Sequence, residues 1–499
     1  MTRSVAVIGT GFSGICAAVK VERELGIVPV LFEMCKDVGG TWYQNRYPGA
    51  ACDIPSHLYS LSFELKSDWP EHYSSQGEIY EYLRGVARKY GLYKKTKFET
   101  EVVSTVWIED RQQWQLQWRS VNDHTHVETG YFDIVFAGLG PLRVPNVPKE
   151  FQGFEGPTVH TTFWDDSIDF TNKRVAVVGS GASAIQAIPE LVKTVSHLYS
   201  YQRTPAWVSP RDQFRYPNLF KYAFRYVPFL LRFYRFLIYI QHEFYYVNFG
   251  YYNSAFGKRV RRAFEYLVSW RLKRAGRPDL IPLLMPDYPP GCKRIAKSEN
   301  FLEALAKPNV TVERAGVAGI KGRTIVDKNG NENEVDILVL ATGFDVQGFA
   351  GNLKIVGRNG SNLAEKWRYE FPKTYKSTAI PGFPNFFLLL GPSTGLGHNS
   401  VVTMIDIQVD FALKALKQMI RKDVAAIEPK QSATDEYAEK LQKSLKGTVW
   451  KGGCKSWYLN ENGDVYGVWP GTIFSFWREL RQADLSKFIQ YKKPVAVKL

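Results

Sequence analysis

The sequence predicts an α/β fold with two Rossmann-like dinucleotide-binding domains and a helical insertion in the second of them. Two observations support this prediction. Glycine-rich turns at residues 9–14 and 179–184 each follow a short run of apolar, β-branched residues and precede a helical pattern. The next apolar run after each turn ends at a charged residue, Glu33 in one unit and Arg203 in the other. Strand, glycine turn, helix and charged residue in this order are the signature of a dinucleotide site.

The first turn contains Gly9, Gly11 and Gly14 after the apolar run at residues 4–8. These glycines permit a tight turn, and they let a pyrophosphate approach the helix N-terminus, where N–H groups and the helix dipole favour anions. The carboxylate of Glu33 can accept hydrogen bonds from ribose hydroxyls and would repel a 2′-phosphate. These features favour FAD as the ligand of the first unit.

The second turn contains Gly179, Gly181 and Ala184, with alanine in place of the third glycine, which is a tolerated variant. The apolar run that follows leads to Arg203 and Thr204. A guanidinium at this position suits a 2′-phosphate. The second unit is therefore predicted to bind NADPH in preference to NADH.

The composition is that of a globular protein, with 45% hydrophobic and 23% charged residues and a formal net charge of +15. Such a charge fits phosphate-bearing cofactors, nucleic acid or an anionic membrane surface. There is no run of five or six like charges, so we expect no nucleic-acid tail. The sequence contains no stretch of 18 apolar residues, so no membrane-spanning helix is predicted.

The cysteines are odd in number, widely scattered and without a Cys-x-x-Cys pair: Cys16, Cys35, Cys52, Cys292 and Cys454. This pattern argues against a disulfide framework or a metal site, and it fits a reducing compartment. The first residues lead directly into a strand, leaving no room for a secretory signal. We therefore expect free thiols, no metal ion and a cytoplasmic protein.

Four further segments carry distinctive residues at fixed spacings. They are Gly39-Gly40-Thr41-Trp42 with Tyr47-Pro48-Gly49 and Asp53; Phe154, Gly156, His160, Trp164 and Asp165; Tyr288-Pro289-Pro290-Gly291-Cys292-Lys293-Arg294; and Lys455-Ser456-Trp457. The second segment lies between the two predicted nucleotide units. Together they resemble the motifs of the type I Baeyer–Villiger monooxygenases, and the resemblance covers nearly the whole chain.

The resemblance implies an FAD- and NADPH-dependent enzyme that uses O₂ to insert one oxygen atom beside a ketone carbonyl, through a flavin peroxide, giving an ester or lactone. It implies that Arg294 is catalytic and that Asp53 orients it; a carboxylate beside a guanidinium fixes its rotamer and keeps it charged. Lys293 would contribute to the 2′-phosphate site. The segment containing Gly40, Thr41, Trp42 and Asp53 would pass beside the flavin, and Trp457 would line the cofactor and substrate cavity.

One position departs from related flavoproteins, since Gly138 stands where they usually have threonine. We assign residues 1–150 and 346–499 to the FAD domain, 151–208 and 292–345 to the NADP domain, and 209–291 to the helical insertion. Breaks at Pro228 and Pro278 predict two or three helices there.

Several alternatives remain open from the sequence. The insertion is rich in aromatic and basic residues, so it is predicted either to cover the active site or to contact a membrane through residues 219–249. His160 is interpreted as a hinge residue, and His398 either as catalytic or as a turn residue. A flavin monooxygenase acting on nitrogen or sulfur, and a membrane-peripheral flavoprotein without oxygenase activity, are the alternative functions. The oligomeric state is not predicted.

Overall fold

The computed structural model describes residues 3–251, 254–346, 350–454, 456–460 and 462–492. Its strands are β1 Val5–Ile8, β2 Val30–Phe32, β3 Thr96–Lys97, β4 Thr100–Ile108, β5 Gln113–Ser120, β6 Glu128–Phe132, β7 Ile134–Ala137, β8 Thr158–His160, β9 Arg174–Val178, β10 His197–Tyr201, β11 Val208–Ser209, β12 Ala296–Lys297, β13 Val310–Glu313, β14 Val317–Lys321, β15 Thr324–Asp327, β16 Glu332–Glu334, β17 Ile337–Leu340, β18 Lys354–Val356, β19 Phe386–Leu388, β20 Ala426–Pro429 and β21 Phe488–Tyr491. Its α-helices are α1 Phe12–Leu25, α2 Thr41–Gln44, α3 Gln76–Lys89, α4 Ala182–Leu191, α5 Asn218–Tyr226, α6 Pro228–Phe249, α7 Ala255–Arg274, α8 Ile281–Leu284, α9 Phe301–Leu305, α10 Leu363–Tyr369, α11 Val401–Arg421, α12 Gln431–Leu445 and α13 Ile473–Leu480.

Two five-stranded parallel sheets form the framework. The first has the order β3–β2–β1–β7–β19 and the second has the order β13–β10–β9–β17–β8. In both sheets the strand before the glycine turn is central, and the strand after the helix lies next to it. The central strands are almost wholly buried, as expected where helices cover both faces of a parallel sheet. The predicted fold class, with two Rossmann-like units, is confirmed.

The first unit also contains an antiparallel sheet of order β18–β4–β5–β6. Along β5 the residues Trp114, Leu116 and Trp118 are buried while their neighbours are partly exposed, which is the alternation of a strand with one face on the core. Ser75 occupies the N-cap of α3, but its side chain makes no capping hydrogen bond.

The insertion forms three long helices, α5 to α7, and a short α8. One break falls at Pro228, the first residue of α6, and Pro278 starts a short 3₁₀ turn before α8. Tyr216 and Ile238 pack into the core of the first unit, whereas Val268 and Leu272 of α7 pack into the core of the second. The insertion therefore lies against both units, although the chain enters and leaves it from the second.

The C-terminal part of the chain also contacts both units. Trp450, Cys454 and Tyr458 pack into the core of the second unit, whereas α13 packs against α11 of the first. Cys292 and Cys454 form a disulfide with a Cα–Cα distance of 6.3 Å. The expectation that all five cysteines are free is therefore wrong, because the fold joins two segments 162 positions apart in sequence. Cys16, Cys35 and Cys52 are free thiols.

Among the described residues, no group of histidine, cysteine and acidic side chains is arranged to hold a metal ion. In the same residues, no helix combines the length and apolar character needed to cross a bilayer.

Candidate active site

A single cavity of about 2110 Å³ opens where the carboxyl ends of β1 and β9 meet, and both glycine turns line it. Ligands of open α/β sheets bind at the carboxyl ends of the strands. The volume is larger than the roughly 300–1,000 Å³ usual for one small ligand. It is therefore suited to two dinucleotides together with a substrate.

The first turn is closely packed against backbone. A Cβ atom on Gly14 would lie 1.8 Å from the carbonyl oxygen of Gly9, and one on Gly40 would lie 2.9 Å from Cα of Gly11. Gly11 is the N-cap of α1 and no side chain caps it, so the first N–H groups of the helix face the cavity without a side-chain partner. This end of α1 fits the pyrophosphate of FAD.

Glu33 is buried at the end of β2 and lines the cavity. One carboxylate oxygen accepts hydrogen bonds from N–H of Thr10 at 2.9 Å and from its hydroxyl at 2.6 Å, and the other accepts from N–H of Cys35 at 2.9 Å. A carboxylate has about four acceptor sites, so one remains available to a ribose hydroxyl. The local donors hold Glu33 in position for that contact.

The second turn is open on its cavity side. A Cβ atom on Gly179 would lie 2.2 Å from the carbonyl oxygen of Ala341, whereas one on Gly181 would meet nothing within 4 Å. Ala184 is fully buried in α4, so its methyl group takes the place of the third glycine without facing the cavity. The space beside Gly181 lets a phosphate approach the backbone closely.

Cationic side chains gather beyond this turn. Arg203 is exposed, and Lys293 and Lys328 line the cavity with it. An added Cβ on Gly316 would lie 3.4 Å from Cε of Lys328 and 3.8 Å from Cδ of Arg203. The side chains of Lys328 and Arg203 therefore lie beside the same backbone position. Burial and the neighbouring Arg203 lower the pKa of Lys293. Together the three cations fit the 2′-phosphate of NADPH.

The sequence did not reveal Lys328, because it lies on the turn after β15, far from any dinucleotide motif. Thr204 lines the same cavity, and its carbonyl oxygen accepts a hydrogen bond from Ser180 of the glycine turn at 2.5 Å. Thr204 therefore holds the turn through its backbone.

The segment from Gly39 to Asp53 connects the two nucleotide turns. At its start N–H of Gly39 donates to the carbonyl oxygen of Thr10 at 3.0 Å, which places Gly40, Thr41 and Trp42 along the first turn. Trp42 Nε1 donates to Tyr59 Oη at 3.3 Å. These contacts place the segment beside the first turn.

Further along, the same segment lies on α4 of the second unit. Tyr47 Oη donates to Gln186 Oε1 at 2.8 Å, and Gln186 Nε2 donates to the carbonyl oxygen of Ala51 at 2.9 Å. A Cβ on Gly49 would lie 2.4 Å from the carbonyl oxygen of Gln186, so only glycine fits at this contact. The segment therefore joins the two units and delivers Asp53 to the space between them.

Arg294 and Asp53 form a bidentate ion pair in this space. Nε and Nη2 of Arg294 donate to the two carboxylate oxygens of Asp53, both at 2.6 Å, and Nη1 donates to the carbonyl oxygen of Leu396 at 3.2 Å. The side chains are 31% and 20% exposed. Burial opposes both charges, but each partner favours the charge of the other, so the pKa of Arg294 is raised and that of Asp53 is lowered.

Two further polar groups lie near this pair and were missed in the sequence. Lys297 follows Arg294 by three residues, and its Nζ donates to Tyr73 Oη at 2.9 Å. Burial lowers the pKa of Lys297, although Asp53 opposes that shift. Burial raises the pKa of Tyr458 to about 12, and its buried hydroxyl has no hydrogen-bond partner among the described residues.

The segment at residues 154–165 contributes structure more than chemistry. Trp164 stacks on Phe170 with ring centroids 5.2 Å apart, and Asp165 accepts hydrogen bonds from N–H and the hydroxyl of Ser167 at 2.9 and 2.6 Å. His160 ends β8, which pairs with β17, and its Nδ1 accepts from N–H of Thr162 at 3.2 Å. Burial lowers the pKa of His160.

His160 lies near the place where the chain crosses between the units. Its ring packs against Phe344 at a centroid distance of 6.3 Å. The chain passes between the units twice, near residues 144–146 and near residues 343–345, and these two segments are hydrogen-bonded to each other. N–H of Asn146 donates to Gly343 O at 2.9 Å, and N–H of Asp345 donates to Val144 O at 2.8 Å. This position agrees with a hinge role for His160.

His398 faces away from the cavity. Its Nε2 lies 3.7 Å from Glu243 of α6, and its ring packs on Tyr246. It therefore acts in the contact between its turn and the insertion, and not at Arg294. Trp457 does line the cavity, and its ring packs on Tyr458 at 4.3 Å. Lys455 of the same motif lies outside the described residues.

Comparison with known proteins agrees with this geometry. The family model described as flavin-binding monooxygenase-like matches residues 2–237. A Baeyer–Villiger monooxygenase of Pseudomonas aeruginosa is 38% identical over 99% of this chain and 92% of its own length, and one of Streptomyces coelicolor is 38% identical over 97% of this chain and 92% of its own length.

Solved structures agree as well. A steroid monooxygenase bound to NADP superposes with a TM-score of 0.85 at 27% identity, covering 99% of this chain and all of the other. A cyclohexanone monooxygenase from Rhodococcus bound to NADP⁺ superposes with a TM-score of 0.86 at 26% identity, covering 99% of each chain.

Fold and site thus define a flavoprotein monooxygenase that uses FAD and NADPH. Within that class, the chain belongs to the Baeyer–Villiger monooxygenases, which insert an oxygen atom beside a ketone carbonyl.

Proposed function

We propose that Arg294, held by Asp53, is the catalytic cation for conversion of a ketone, NADPH, a proton and O₂ into an ester or lactone, NADP⁺ and water. The observation that carries this proposal is the bidentate pair of Arg294 and Asp53 in a cavity lined by both nucleotide turns. Negative charge develops on the carbonyl oxygen when a ketone is attacked, and a fixed cation stabilises it.

The geometry of Arg294 suits this role. A guanidinium has five N–H donors; two bind Asp53 and one binds Leu396, so two remain for developing negative charge. Its raised pKa keeps it charged throughout, so it stabilises an anion without giving up its proton. Bound flavin supplies the activation of oxygen, and the residues of the chain supply orientation and charge.

The second unit supports the supply of hydride from NADPH. Arg203, Lys293 and Lys328 line the cavity beyond the second glycine turn, where they would bind a 2′-phosphate, and the open side of Gly181 leaves room for the pyrophosphate. The Gln186 contacts with Tyr47 and Ala51 then fix this unit against the segment that holds Asp53. The cytoplasmic location stays a prediction.

The test uses the purified, FAD-loaded enzyme with NADPH, ¹⁸O₂ and a panel of linear, cyclic and aromatic ketones. We expect at least one ketone to give an ester or lactone that carries one ¹⁸O atom by mass spectrometry. Arg294→Ala is the matched control and should give none. A sulfide and a tertiary amine are included. Oxidation of these without ester from any ketone would contradict the proposal and indicate a nitrogen- or sulfur-oxidising enzyme.

A further inference from the structure

Helices α5 and α6 expose an unusual set of large apolar side chains. Leu219, Tyr226 and Phe229 are 75%, 73% and 74% exposed and lie around the turn between the two helices. We call the exposed apolar residues of these helices the aromatic face: Leu219, Phe220, Tyr222, Tyr226, Val227, Phe229, Leu230, Phe233, Phe236, Leu237 and Phe244. Isolated exposed apolar residues are normal, but a contiguous group of this kind marks an interaction site.

The aromatic face follows the helical period. On α6, Phe229, Phe233, Phe236 and Phe244 recur at intervals of three, four or eight residues, and so share one side of the helix. Leu231, Ile238 and His242 are buried on the other side. One side of α6 therefore packs against the rest of the protein, and a second apolar side, which carries the four phenylalanines, faces outward. The outward side is not needed to fill the core.

The attachment to the first unit is specific. Phe224 and Tyr234 pack around His57, and Arg235 donates to the carbonyl oxygen of Ser60 at 3.0 Å. Near the other end of α6, the carboxylate of Glu243 accepts hydrogen bonds from N–H of Ile473 and Phe474, both at 3.1 Å. These contacts leave the aromatic face pointing outward.

The Glu243 contact also brings a second aromatic group close to α6. Phe474 and Trp477 at the start of α13 are exposed and stack with ring centroids 5.6 Å apart. Because the backbone N–H of Phe474 donates a hydrogen bond to Glu243, the Phe474–Trp477 pair lies beside the end of α6 that carries the exposed Phe244.

The charge around the aromatic face is strongly positive. Residues 218–274 contain eleven lysine and arginine residues but only two glutamates, a net charge of +9 out of +15 for the whole chain. Arg225 and Arg232 are exposed among the aromatic residues. On α7, which packs beside α6, Lys258, Arg259 and Arg262 are exposed as well. The two acids do not neutralise the face, because Glu243 is engaged with α13 and Glu265 pairs with Arg261 at 2.9 Å.

We propose that the aromatic face binds the surface of an anionic lipid bilayer, with α5 and α6 lying in the interface. Helices that bind this way place aromatic and aliphatic side chains in the headgroup region while arginine and lysine contact anionic headgroups. A second copy of the chain fits the face less well, because two such faces would bring like charges together. The contact is peripheral, since none of the described helices can span a bilayer.

The test is sedimentation of the FAD-loaded enzyme with vesicles of phosphatidylcholine alone or mixed with phosphatidylglycerol. We expect binding to the mixed vesicles, little binding to phosphatidylcholine, and weaker binding at high salt. Phe229→Ser/Phe233→Ser and Arg225→Glu/Arg232→Glu should each weaken binding about tenfold or more. All four side chains lie outside the active-site cavity, so ketone turnover should not change.

Matched controls place the same changes on other exposed positions. Val127→Ser/Ile489→Ser removes exposed apolar groups and Lys354→Glu/Lys422→Glu reverses two exposed charges, all outside the insertion. Both controls should bind vesicles as the parent enzyme does. Absence of binding to the anionic vesicles, or equal losses in the controls, would overturn the proposal. So would a Phe229→Ser/Phe233→Ser protein that binds vesicles normally but changes from dimer to monomer in size-exclusion chromatography, since the face would then join two copies of the chain.

Discussion

Arg294 and Asp53 are 241 positions apart in the chain, yet two hydrogen bonds of 2.6 Å join them side by side. Asp53 ends the segment that crosses from the first nucleotide turn to α4, and Arg294 lies where the chain returns from the insertion. The pair therefore links a segment of the first unit to a segment of the second.

Replacing Arg294 by alanine is expected to abolish ester formation while NADPH is still consumed. Loss of a single oxyanion donor costs about 10²–10³ in rate in a well-studied enzyme, and a guanidinium supplies more than one donor. The reducing equivalents should then appear as hydrogen peroxide. Ester, NADPH and peroxide are measured together, with Asp53→Ala expected to cause milder damage of the same kind. Substantial ester from Arg294→Ala would rule out the assignment.

Removing Arg203 is expected to weaken NADPH far more than NADH. Loss of one charge-assisted contact to the 2′-phosphate corresponds to about 1.5–3 kcal/mol, or roughly 10- to 150-fold in KM. Lys328→Ala should act in the same direction, because Lys328 flanks the same position. Steady-state KM values for both coenzymes provide the measurement. Lys307→Ala, an exposed change outside the cavity, is the control, and an unchanged NADPH preference in Arg203→Ala would place the phosphate elsewhere.

His160→Ala is expected to slow turnover without changing the pH dependence of the rate. Burial lowers the pKa of His160, so the ring is uncharged near pH 7 and its titration lies below the neutral range. Its contacts with Thr162 and Phe344 support the crossing between the units instead. The pH–rate profile and the flavin content of the variant are measured. Loss of a limb near pH ~6.5 would indicate acid–base catalysis.

Acid is expected to destabilise the protein partly through His57. This ring is buried by Tyr216, Phe224 and Tyr234, and burial lowers its pKa to about 3. Between the unfolded pKa of ~6.5 and pH 3 the unfolded chain binds a proton that the folded protein does not, so stability falls as pH falls. The slope is at most about 1.4 kcal/mol per pH unit.

His57→Phe keeps the aromatic packing and removes the titrating group. Its unfolding temperature should therefore fall less between pH 7 and pH 4 than that of the parent. Exposed His124→Phe is the control. Parallel curves for His57→Phe and the parent protein would show that His57 does not contribute.

The disulfide between Cys292 and Cys454 is expected to stabilise the fold under oxidising conditions. A cross-link that closes a long loop restricts the unfolded chain and typically contributes about 2–4 kcal/mol. The unfolding temperature should drop when reductant is added, and Cys292→Ala/Cys454→Ala should have the lower value with or without reductant. Cys35→Ala, at a free thiol, should respond to reductant as the parent does. No effect of reductant on the parent would mean that the two thiols are unpaired in solution.

The sequence predicted those parts of the fold that have a local signature. The glycine turns and the buried strands before them follow from neighbouring residues, and so do the two Rossmann-like units. Arg294 and Asp53 could be named only through the family resemblance, and the structure then brought them together. The rest depends on contacts between distant segments. Lys328 beside Arg203, Gln186 on the Tyr47 segment and the disulfide have no pattern in the chain, because each arises only after folding.

The strand order has a consequence for synthesis on the ribosome. β1, β2 and β7 of the first sheet are made by residue 137, but the sheet also contains β19 at Phe386–Leu388, and α11 covers it only after residue 401. All strands of the second sheet lie between Thr158 and Leu340. The second unit can therefore complete its sheet while the first, although begun earlier, still has an open edge. We therefore expect the second unit to complete its fold before the first, the reverse of the usual N-terminal-first order, with the edge of β7 left unpaired during that interval.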